Sequence, residues 1–300
     1  MINYKEFVNN SRKWLAEYIK ANHLQSLVIG ISGGIDSTVS CCIASQVCKD
    51  LNIPLIGRSL PTTTNKPDEN RVADLVGNAF CDDFKIENIS EECQKLIYEL
   101  ELKEGSMSRL QEGNIKARVR MIYLRHLASL HKGVVLDNDN FTEWNLGFWT
   151  VCGDSPMDIN LGLHYLWKTE IYELAKYFLK QYNDDWAMFD DFGIPEIAEK
   201  ADDACTKHEA LKASIELIPT DGNGVSNSDC EQFGLDNYEQ VDDILKVMYN
   251  SELYNIIKEI TRLKESYNEQ GINKVINLNK NSNYKRQELP IKPTKEELGL

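Results

Sequence analysis

Short apolar runs alternate with amphipathic segments along the first half of the chain. The run at 27–31 is apolar throughout, which is typical of a strand buried on both faces of a parallel sheet. The pattern further predicts strands at 53–57, 82–86 and 133–136, and helices at 4–22, 36–48, 68–79 and 90–102, with Ser90 capping the last helix. Strands and helices that alternate at this spacing build βαβ units. We therefore expect an α/β fold, a doubly wound parallel sheet with helices on both faces.

A glycine-bounded loop at 105–113 precedes a helix that is predicted to begin at Asn114. The polar residues of this helix, among them Lys116, Arg118 and Arg120, crowd its first turns. Cations oppose the helix dipole at an N-terminus. This placement indicates either a solvated basic helix end or a site for an anionic ligand.

The second half of the chain has a weaker pattern. A helix is predicted at 167–182, whereas 181–210 is polar and acidic without clear periodicity. Residues 219–234 are rich in Gly, Asn, Ser and Asp and predict a long loop, either a mobile lid or a disordered segment. Helices are predicted at 237–249 and 252–267, and an extended, basic segment at 276–293. Because no repeat or linker is visible, residues 1–300 are expected to form one domain.

The strand at 27–31 leads into a Ser-Gly-Gly turn at 32–34 and then into a helix. Such an arrangement directs backbone N–H groups and the positive helix end at one point, which suits a phosphate. Asp36 would repel a phosphate unless a divalent cation lay between them, so the pattern predicts Mg²⁺. The alternative is an ordinary strand-to-helix turn, because Asp, Ser and Thr at 36–38 are common helix-start residues.

Acidic and amide residues follow the strand predicted at 133–136. The segment DNDNFTE at 137–143 lies at the carboxyl end of that strand, where parallel sheets place ligand-binding groups. Glu143 is therefore a candidate to share one metal ion with Asp36. Without that partner it would be an ordinary surface glutamate.

The composition narrows the class of protein. A net charge of −14 argues against a nucleic-acid partner, and 42% hydrophobic residues are enough for a sizeable core. No apolar run reaches membrane length and the N-terminus has no signal-peptide pattern, so we expect no membrane partner. The eight cysteines show no CxxC pair and no zinc-like spacing, and we expect them to be reduced thiols of a cytoplasmic enzyme.

Four stretches carry a resemblance to a known family: SGGIDS at 32–37, GNIKARVRM at 113–121, the acidic segment at 137–143 and Pro-Thr at 219–220. SGGIDS resembles the pyrophosphate loop of the ATP pyrophosphatase superfamily. In this order, the stretches resemble ammonia-dependent NAD synthetase. The resemblance implies an adenine nucleotide alpha hydrolase-like, Rossmann-like fold and a homodimer. It also implies a reaction in which deamido-NAD, ATP and ammonia give NAD, AMP and pyrophosphate through an acyl-adenylate.

The resemblance also implies roles for individual residues. ATP would be bound by Ser32, Gly33, Gly34, Ile35, Asp36, Ser37, Thr38, Asn138, Lys168 and Thr220. Deamido-NAD would contact Asn114, Arg118, Val151, Asp158, Tyr284 and Lys285. Mg²⁺ would be bound by Asp36 and Glu143. Catalysis would involve Asp36 together with Asp139 or Asp154, either of which could hold and deprotonate an ammonium ion.

Several positions depart from the family pattern. The family's Gly-Thr-Asp is Asp137-Asn138-Asp139 here, a lysine on deamido-NAD is Val151, the histidine before Lys285 is Tyr284, and the arginine of an Arg-Leu-Pro segment is displaced to Arg58. A charged hydrogen bond contributes about 1.5–3 kcal/mol, so loss of the lysine could weaken or redirect acceptor choice.

Two alternatives to deamido-NAD amidation therefore stay open. One is a related ligase that amidates a different carboxylate, and the other is a nucleotide-binding protein without activity. No glutaminase domain is expected within this chain, so ammonia would come from solution or from a separate protein.

Overall fold

Five described strands form a parallel sheet. They are β1 (Ser26–Gly30), β2 (Leu55–Ser59), β3 (Asp83–Ile86), β4 (Gly133–Asp137) and β5 (Ile159–Asn160), in the order β3-β2-β1-β4-β5. The structure is a computed structural model that describes residues 2–190, 195–217, 230, 233–250, 253–282 and 292–300. The expected doubly wound parallel sheet is confirmed. Strand β5 has no counterpart among the predicted strands, because two residues are too few to show a hydrophobic pattern.

Helices connect and cover these strands. Their bounds are α1 (Tyr4–Ala21), α2 (Ile35–Leu51), α3 (Pro67–Phe80), α4 (Ser90–Glu104), α5 (Arg109–Leu130), α6 (Phe141–Leu146), α7 (Lys168–Asp190), α8 (Pro195–Glu216), α9 (Tyr238–Asn250), α10 (Leu253–Ser266), α11 (Glu269–Asn281) and α12 (Lys295–Leu298), with a 3₁₀ turn at Leu163–Tyr165. Within the described part of the chain, no helix is long and apolar enough to span a membrane.

Successive residues of the central strand β1 serve the two faces of the sheet. Leu27 and Ile29 are buried in a core that also contains residues of α1, α2, α3, α7 and α8. Val28 points to the opposite face and lies in a second core with residues of α4 and α5. This alternation follows from the two-residue period of a strand, and it explains why the whole run is apolar. A third cluster joins α9, α10 and α11 to Leu146 and Trp167.

The strand order reverses between β1 and β4. From β1 the chain adds β2 and β3 on one side, and it then returns to add β4 and β5 on the other. Loops that leave the carboxyl ends of β1 and β4 therefore diverge over opposite faces and leave a crevice between them. The glycine turn at 32–34 and the acidic segment at 137–143 both lie at this crevice.

Helix α5 begins earlier than its sequence pattern suggests. Ser108 is its N-cap and forms a capping box: the Gln111 amide donates to Ser108 Oγ, and the Ser108 amide donates to Gln111 Oε1. Asn114 and Arg118 consequently lie in the second and third turns. The argument that these polar residues crowd a helix N-terminus is therefore wrong. A second cap prediction also fails, since Ser90 is the first residue of α4 and Ile89 is its N-cap.

The second half of the chain is more helical than its sequence indicates. Within 181–210, residues up to Asp190 continue α7 and those from Pro195 belong to α8. The segment from 276 to 281 is the end of α11 and is not extended, because Asn268 caps that helix and its apolar residues pack inward. The helices predicted at 237–249 and 252–267 are confirmed as α9 and α10. The loop predicted at 219–234 lies outside the described residues, apart from 230, 233 and 234.

Candidate active site

A cavity of about 250 Å³ lies at the crevice where the strand order reverses. Its walls are the turn after β1, the ends of β2 and β4, the segment before β5 and the first residue of α7. It is lined by, among others, Ser32, Gly34, Asp36, Ser37, Arg120, Asn138, Asp139, Glu143, Asp154 and Lys168. The structure thus brings together residues that are spread over more than 130 positions of the sequence.

The glycine turn is held tightly against two helices. Gly33 has a φ of +82°, and a Cβ there would lie 2.8 Å from the backbone nitrogen of Ala73 in α3. From α8, Ser214 Oγ donates to the Gly33 carbonyl at 2.8 Å and pairs with Thr38 Oγ1 at 2.9 Å. Glycine at position 33 is therefore required by both its backbone conformation and the close approach of α3.

The N-terminus of α2 faces the cavity without a side-chain cap. Gly34 is the N-cap residue and has no side chain to accept from the first amides of the helix, which begin at Ile35. Ser32 and Ser37 line the cavity beside it, with their hydroxyl oxygens 3.2 Å apart. Free amides at a helix N-terminus beside two hydroxyls form a site for an anion.

Asp36 and Glu143 converge on the ammonium group of Lys168. Nζ of Lys168 donates to Asp36 Oδ2, and it donates to Glu143 Oε1 at 3.0 Å. Asn140 supports both carboxylates, since its side-chain amide donates to Asp36 Oδ1 at 2.8 Å and its side-chain oxygen accepts from the Glu143 amide. The structure therefore brings Asp36 and Glu143 together with Lys168 between them, and a shared metal ion stays a prediction.

Burial and neighbouring charge set the protonation of this group. Burial raises the pKa of Glu143 to about 7, and the Asp36 carboxylate adds to the rise, while Lys168 opposes it. For Lys168, burial disfavours the charged form, but Asp36 and Glu143 together raise its pKa well above the usual range. Lys168 is therefore a buried ammonium group under all ordinary conditions.

Asp139 and Asp154 form a separate acidic edge of the cavity. The side chain of Asp154 accepts a hydrogen bond from the Thr150 amide at 2.6 Å, and Asp139 Oδ2 is buried with no hydrogen-bond partner. Burial raises the pKa of Asp154 to about 6. Burial, followed by the charges of Asp137, Asp154 and Glu143, raises the pKa of Asp139 well above its ordinary value. Two carboxyl groups that burial makes less acidic thus line the same cavity.

The residues predicted to contact deamido-NAD are less tightly gathered. Arg118 donates from Nε and Nη2 to the Val151 carbonyl at 3.3 and 3.2 Å, and Asn114 accepts from Thr150 Oγ1 at 2.8 Å. These contacts place the two α5 residues beside the 150–154 turn. Asp158 binds Arg125 at 2.6 Å and the Val135 amide at 2.8 Å. Thr220, Tyr284 and Lys285 lie outside the described residues.

Further residues support or line the cavity without being predicted as site residues from the sequence. The sequence contains a signal for Asn140 as a helix cap, because Asn140 and Glu143 have the spacing of a capping box. Ser214 has no local signal, since it lies in a helix without clear periodicity. Arg58 lines the cavity, but its guanidinium is held by Asp83 at 3.0 Å and is only 3% exposed. Arg120 instead reaches the cavity from α5, with Nε donating to the Leu60 carbonyl at 3.0 Å.

Comparison with known proteins identifies the family. The NAD synthase family model matches residues 7–289. The NH(3)-dependent NAD(+) synthetase of Finegoldia magna is 28% identical over 265 residues, which cover 88% of this chain and 93% of the relative. That of Pyrococcus furiosus is 29% identical over 285 residues, covering 95% and 94%. Among solved structures, NMN synthetase from Francisella tularensis matches with a TM-score of 0.70 at 21% identity, covering 98% of this chain and all of that one. This chain belongs to the NAD synthase family.

Proposed function

We propose that the protein amidates deamido-NAD with ammonia and ATP, giving NAD, AMP and pyrophosphate. The observation that carries this proposal is the meeting, in one cavity, of an uncapped helix N-terminus with Asp36, Glu143 and Lys168 from three different elements. The family match over 7–289 and the curated relatives, both named as NH(3)-dependent NAD(+) synthetases, support the same reaction.

In the first half-reaction, the nicotinate carboxylate attacks the α-phosphorus of ATP and pyrophosphate leaves. The free amides at the start of α2, with the Ser32 and Ser37 hydroxyls, would hold the leaving pyrophosphate. The ammonium group of Lys168 would leave the two carboxylates and bind the phosphates instead. Catalysis of this step consists mainly of holding the reactants in line and stabilising the charge that develops on the phosphates.

Asp36 and Glu143 are the residues that would hold Mg²⁺. Both carboxylates already reach one cationic group, so their spacing and oxygen donors fit a hard divalent ion. When bound, the ion would neutralise charge on the triphosphate oxygens. Asn140 holds both carboxylates in place through hydrogen bonds to Asp36 and to the backbone of Glu143.

In the second half-reaction, ammonia attacks the acyl carbon and the bond from that carbon to the AMP oxygen breaks. Asp139 and Asp154 line the cavity and are the groups that would bind ammonium and take up its proton. A base works best when its pKa lies near the working pH. The pKa of Asp154, about 6, supports Asp154 as the base, while burial and the neighbouring carboxylates also raise the pKa of Asp139.

A second candidate acceptor is the shorter mononucleotide, the deamido form of NMN. The observation that favours it is Val151, which is 39% exposed and places an uncharged side chain where the family's lysine would contact the dinucleotide. The carbonyl of the same residue also engages the guanidinium of Arg118. The match to the Francisella tularensis NMN synthetase adds only the shared fold.

The decisive assay supplies ATP, Mg²⁺ and ammonium with either acceptor and quantifies NAD or NMN together with AMP and pyrophosphate. We expect NAD with deamido-NAD. Product from the mononucleotide alone would favour the second candidate, and pyrophosphate release only with another acid would indicate a ligase for a different carboxylate. If no acid supports ATP turnover, the proposal is wrong and the protein is a nucleotide binder. Val151→Lys should shift the ratio of kcat/KM values toward the dinucleotide, and Val134→Ile, in β4 and outside the cavity lining, should not.

We also propose that the protein is a homodimer whose contact includes α4 and α5. These helices carry large apolar side chains that are 59–74% exposed: Tyr98, Leu102, Leu110, Ile122 and Leu130. An exposed apolar surface of this kind favours burial against another chain. Sedimentation should show a dimer, and Leu110→Asp should shift it to monomer, while Leu75→Asp on α3 should not.

The catalytic unit is proposed to be one domain of residues 1–300, supported by the family match over most of its length. The cytoplasm is the proposed location, because free cysteines such as the buried Cys41, Cys42 and Cys48 suit a reducing compartment.

A further inference from the structure

The carboxylate of Asp137 is fully buried at the end of β4, directly behind the acidic edge. Its oxygens accept hydrogen bonds from the amides of Asp139 (3.0 Å) and Met157 (2.8 Å), the Ser155 hydroxyl (2.9 Å), the Asn160 side-chain amide (3.1 Å) and Nε2 of His164 (3.2 Å). A carboxylate with this many donors is strongly anchored. The glycine that the family pattern has at this position could make none of these side-chain bonds.

Asp137 thereby ties together the segments that carry the two cavity carboxylates. Asp139 is bonded through its own amide, and Asp154 immediately precedes the bonded hydroxyl of Ser155. Asn160 adds a further bond from its side-chain amide to the Asp139 carbonyl at 3.1 Å. The relative position of Asp139 and Asp154 therefore depends on one buried side chain that does not itself line the cavity.

His164 helps to stabilise a buried negative charge at Asp137 through its hydrogen bond to that carboxylate. It is 1% exposed and its ring lies 4.9 Å from that of Trp144, which fixes its orientation. Burial alone would raise the pKa of Asp137, but the hydrogen bonds from His164, the Met157 amide and Asn160 hold it below its ordinary value. A fixed negative charge consequently lies behind Asp139 and Asp154.

We propose that Asp137, paired with His164, is a positioning residue for the amidation half of the reaction. It sets the place of Asp139 and Asp154 at the cavity, and its charge favours the binding of an ammonium ion between them. The inference rests on the proposed function, because it assigns a role to the step in which ammonia enters. Asp137 acts through its neighbours and does not touch the substrate.

The test separates the two half-reactions. Acceptor-dependent exchange of pyrophosphate into ATP, measured without ammonium, reports adenylation alone, and the KM for ammonium reports the second step. In Asp137→Asn, which keeps the shape but removes the charge, the KM for ammonium should rise by about tenfold or more, because one nearby charge is lost. The exchange rate and kcat at saturating ammonium should stay within about threefold. An unchanged KM for ammonium, or an exchange rate that falls in parallel, would overturn the proposal.

Variants of His164 provide an independent test if Asp137→Asn does not fold. His164→Gln keeps an N–H donor for Asp137, and its KM for ammonium should stay near the wild-type value. His164→Phe fills the same space without a donor, so its KM should rise in the same direction as in Asp137→Asn, while exchange is retained. Equal kinetics in the two variants would show that the pairing with Asp137 has no part in ammonium use.

Asp242→Asn is the matched control. Asp242 is equally buried and accepts from Thr142 Oγ1 and the Thr169 amide, but it has no hydrogen bond to the segments that carry Asp139 and Asp154. Its KM for ammonium should be unchanged. If the wild-type protein itself shows no exchange with any acceptor, the proposed function fails, and that outcome is distinct from a failure of the Asp137 inference.

Discussion

The glycine turn after β1 and the acidic edge after β4 face the same cavity but are built in opposite ways. The turn comes from consecutive residues, and its backbone conformation is fixed by Gly33. The edge is assembled from separate segments, with Asp139 in one and Asp154 in another, joined by the buried Asp137. The glycine turn is therefore determined by local sequence, whereas the acidic edge forms only when distant segments come together in the folded protein.

The two regions also differ in how their charges are balanced. Asp36, beside the turn, has the ammonium group of Lys168 as a direct partner. Asp139 and Asp154 have no salt bridge within the described part of the chain, and their carboxyl groups instead become less acidic. Under the proposed function, the first region would bind phosphate and a cation, and the second would transfer a proton.

The largest effect is expected from Asp36→Asn. The variant loses one of the two carboxylates that converge at Lys168, so kcat/KM should fall by about a thousandfold, similar to the loss of a major electrostatic contact in other enzymes. The chain should still fold, but at a lower thermal midpoint, because the buried Lys168 loses one of its two carboxylate partners. Asp50→Asn, an exposed carboxylate at the other end of the same helix, is the control and should leave turnover unchanged. Near-normal turnover of Asp36→Asn would remove the basis for a metal site here.

Gly33→Ala should have the next largest effect. A side chain at this φ is strained by roughly 1–2 kcal/mol before any clash is counted. The new Cβ would also lie 2.8 Å from the Ala73 nitrogen and 2.9 Å from the Glu69 carbonyl. The KM for ATP should rise at least tenfold, and thermal unfolding should occur at lower temperature.

Gly34→Ala is the comparison for that variant. A Cβ there would approach only Ser32 Oγ, at 3.2 Å, and the backbone of Gly34 lies in the ordinary extended region. Its effect on stability should therefore be clearly smaller. Equal losses in the two variants would show that the fit of Gly33 against α3 is not what fixes the turn.

Ser214→Ala should have a moderate effect. It removes the hydroxyl that donates to the Gly33 carbonyl, and the loss of a buried hydrogen bond costs about 1–3 kcal/mol. Chemical denaturation should show this loss, with a few-fold rise in the KM for ATP. Ser40→Ala makes the same chemical change in α2, where the buried hydroxyl has no hydrogen-bond partner, and it should be nearly neutral.

The smallest effect is expected in the pH dependence of stability. The pKa of Asp154 is raised to about 6 in the folded protein, so its contribution favours the folded state at low pH and is lost as the pH rises through that value. Asp154→Asn should therefore flatten the fall of the melting temperature between pH 4 and about 6. A melting curve with the same slope in variant and wild type would contradict the raised pKa.

The contrast between the two regions also explains what the sequence could predict. The strand at 27–31, the glycine turn and Asp36 are neighbours in the chain. The apolar run of the strand and the spacing of the residues after it are therefore sufficient to predict this region. Glu143 can be predicted from the sequence, because the carboxyl ends of parallel strands share one edge of the sheet.

Other features depend on tertiary contacts and could not be predicted. Helix α8 lacks a clear period because it packs against both α7 and α3, so its apolar positions do not form one simple stripe. The start of α5, by contrast, has a local signal in the Ser108–Gln111 capping box, whereas the glycine at 113 indicates a later boundary. Lys168 lies between Asp36 and Glu143 through long-range folding that no local pattern records.

The contact between Ser214 and Gly33 also has a consequence for the order of synthesis. The two residues are 181 positions apart, so the turn near the N-terminus is made early, while its support from α8 arrives only after more than two thirds of the chain has been translated. Domains generally fold as units, the N-terminal one first during synthesis. A nascent chain that ends before α8 therefore contains the glycine turn but lacks the hydrogen bond from Ser214 that supports it.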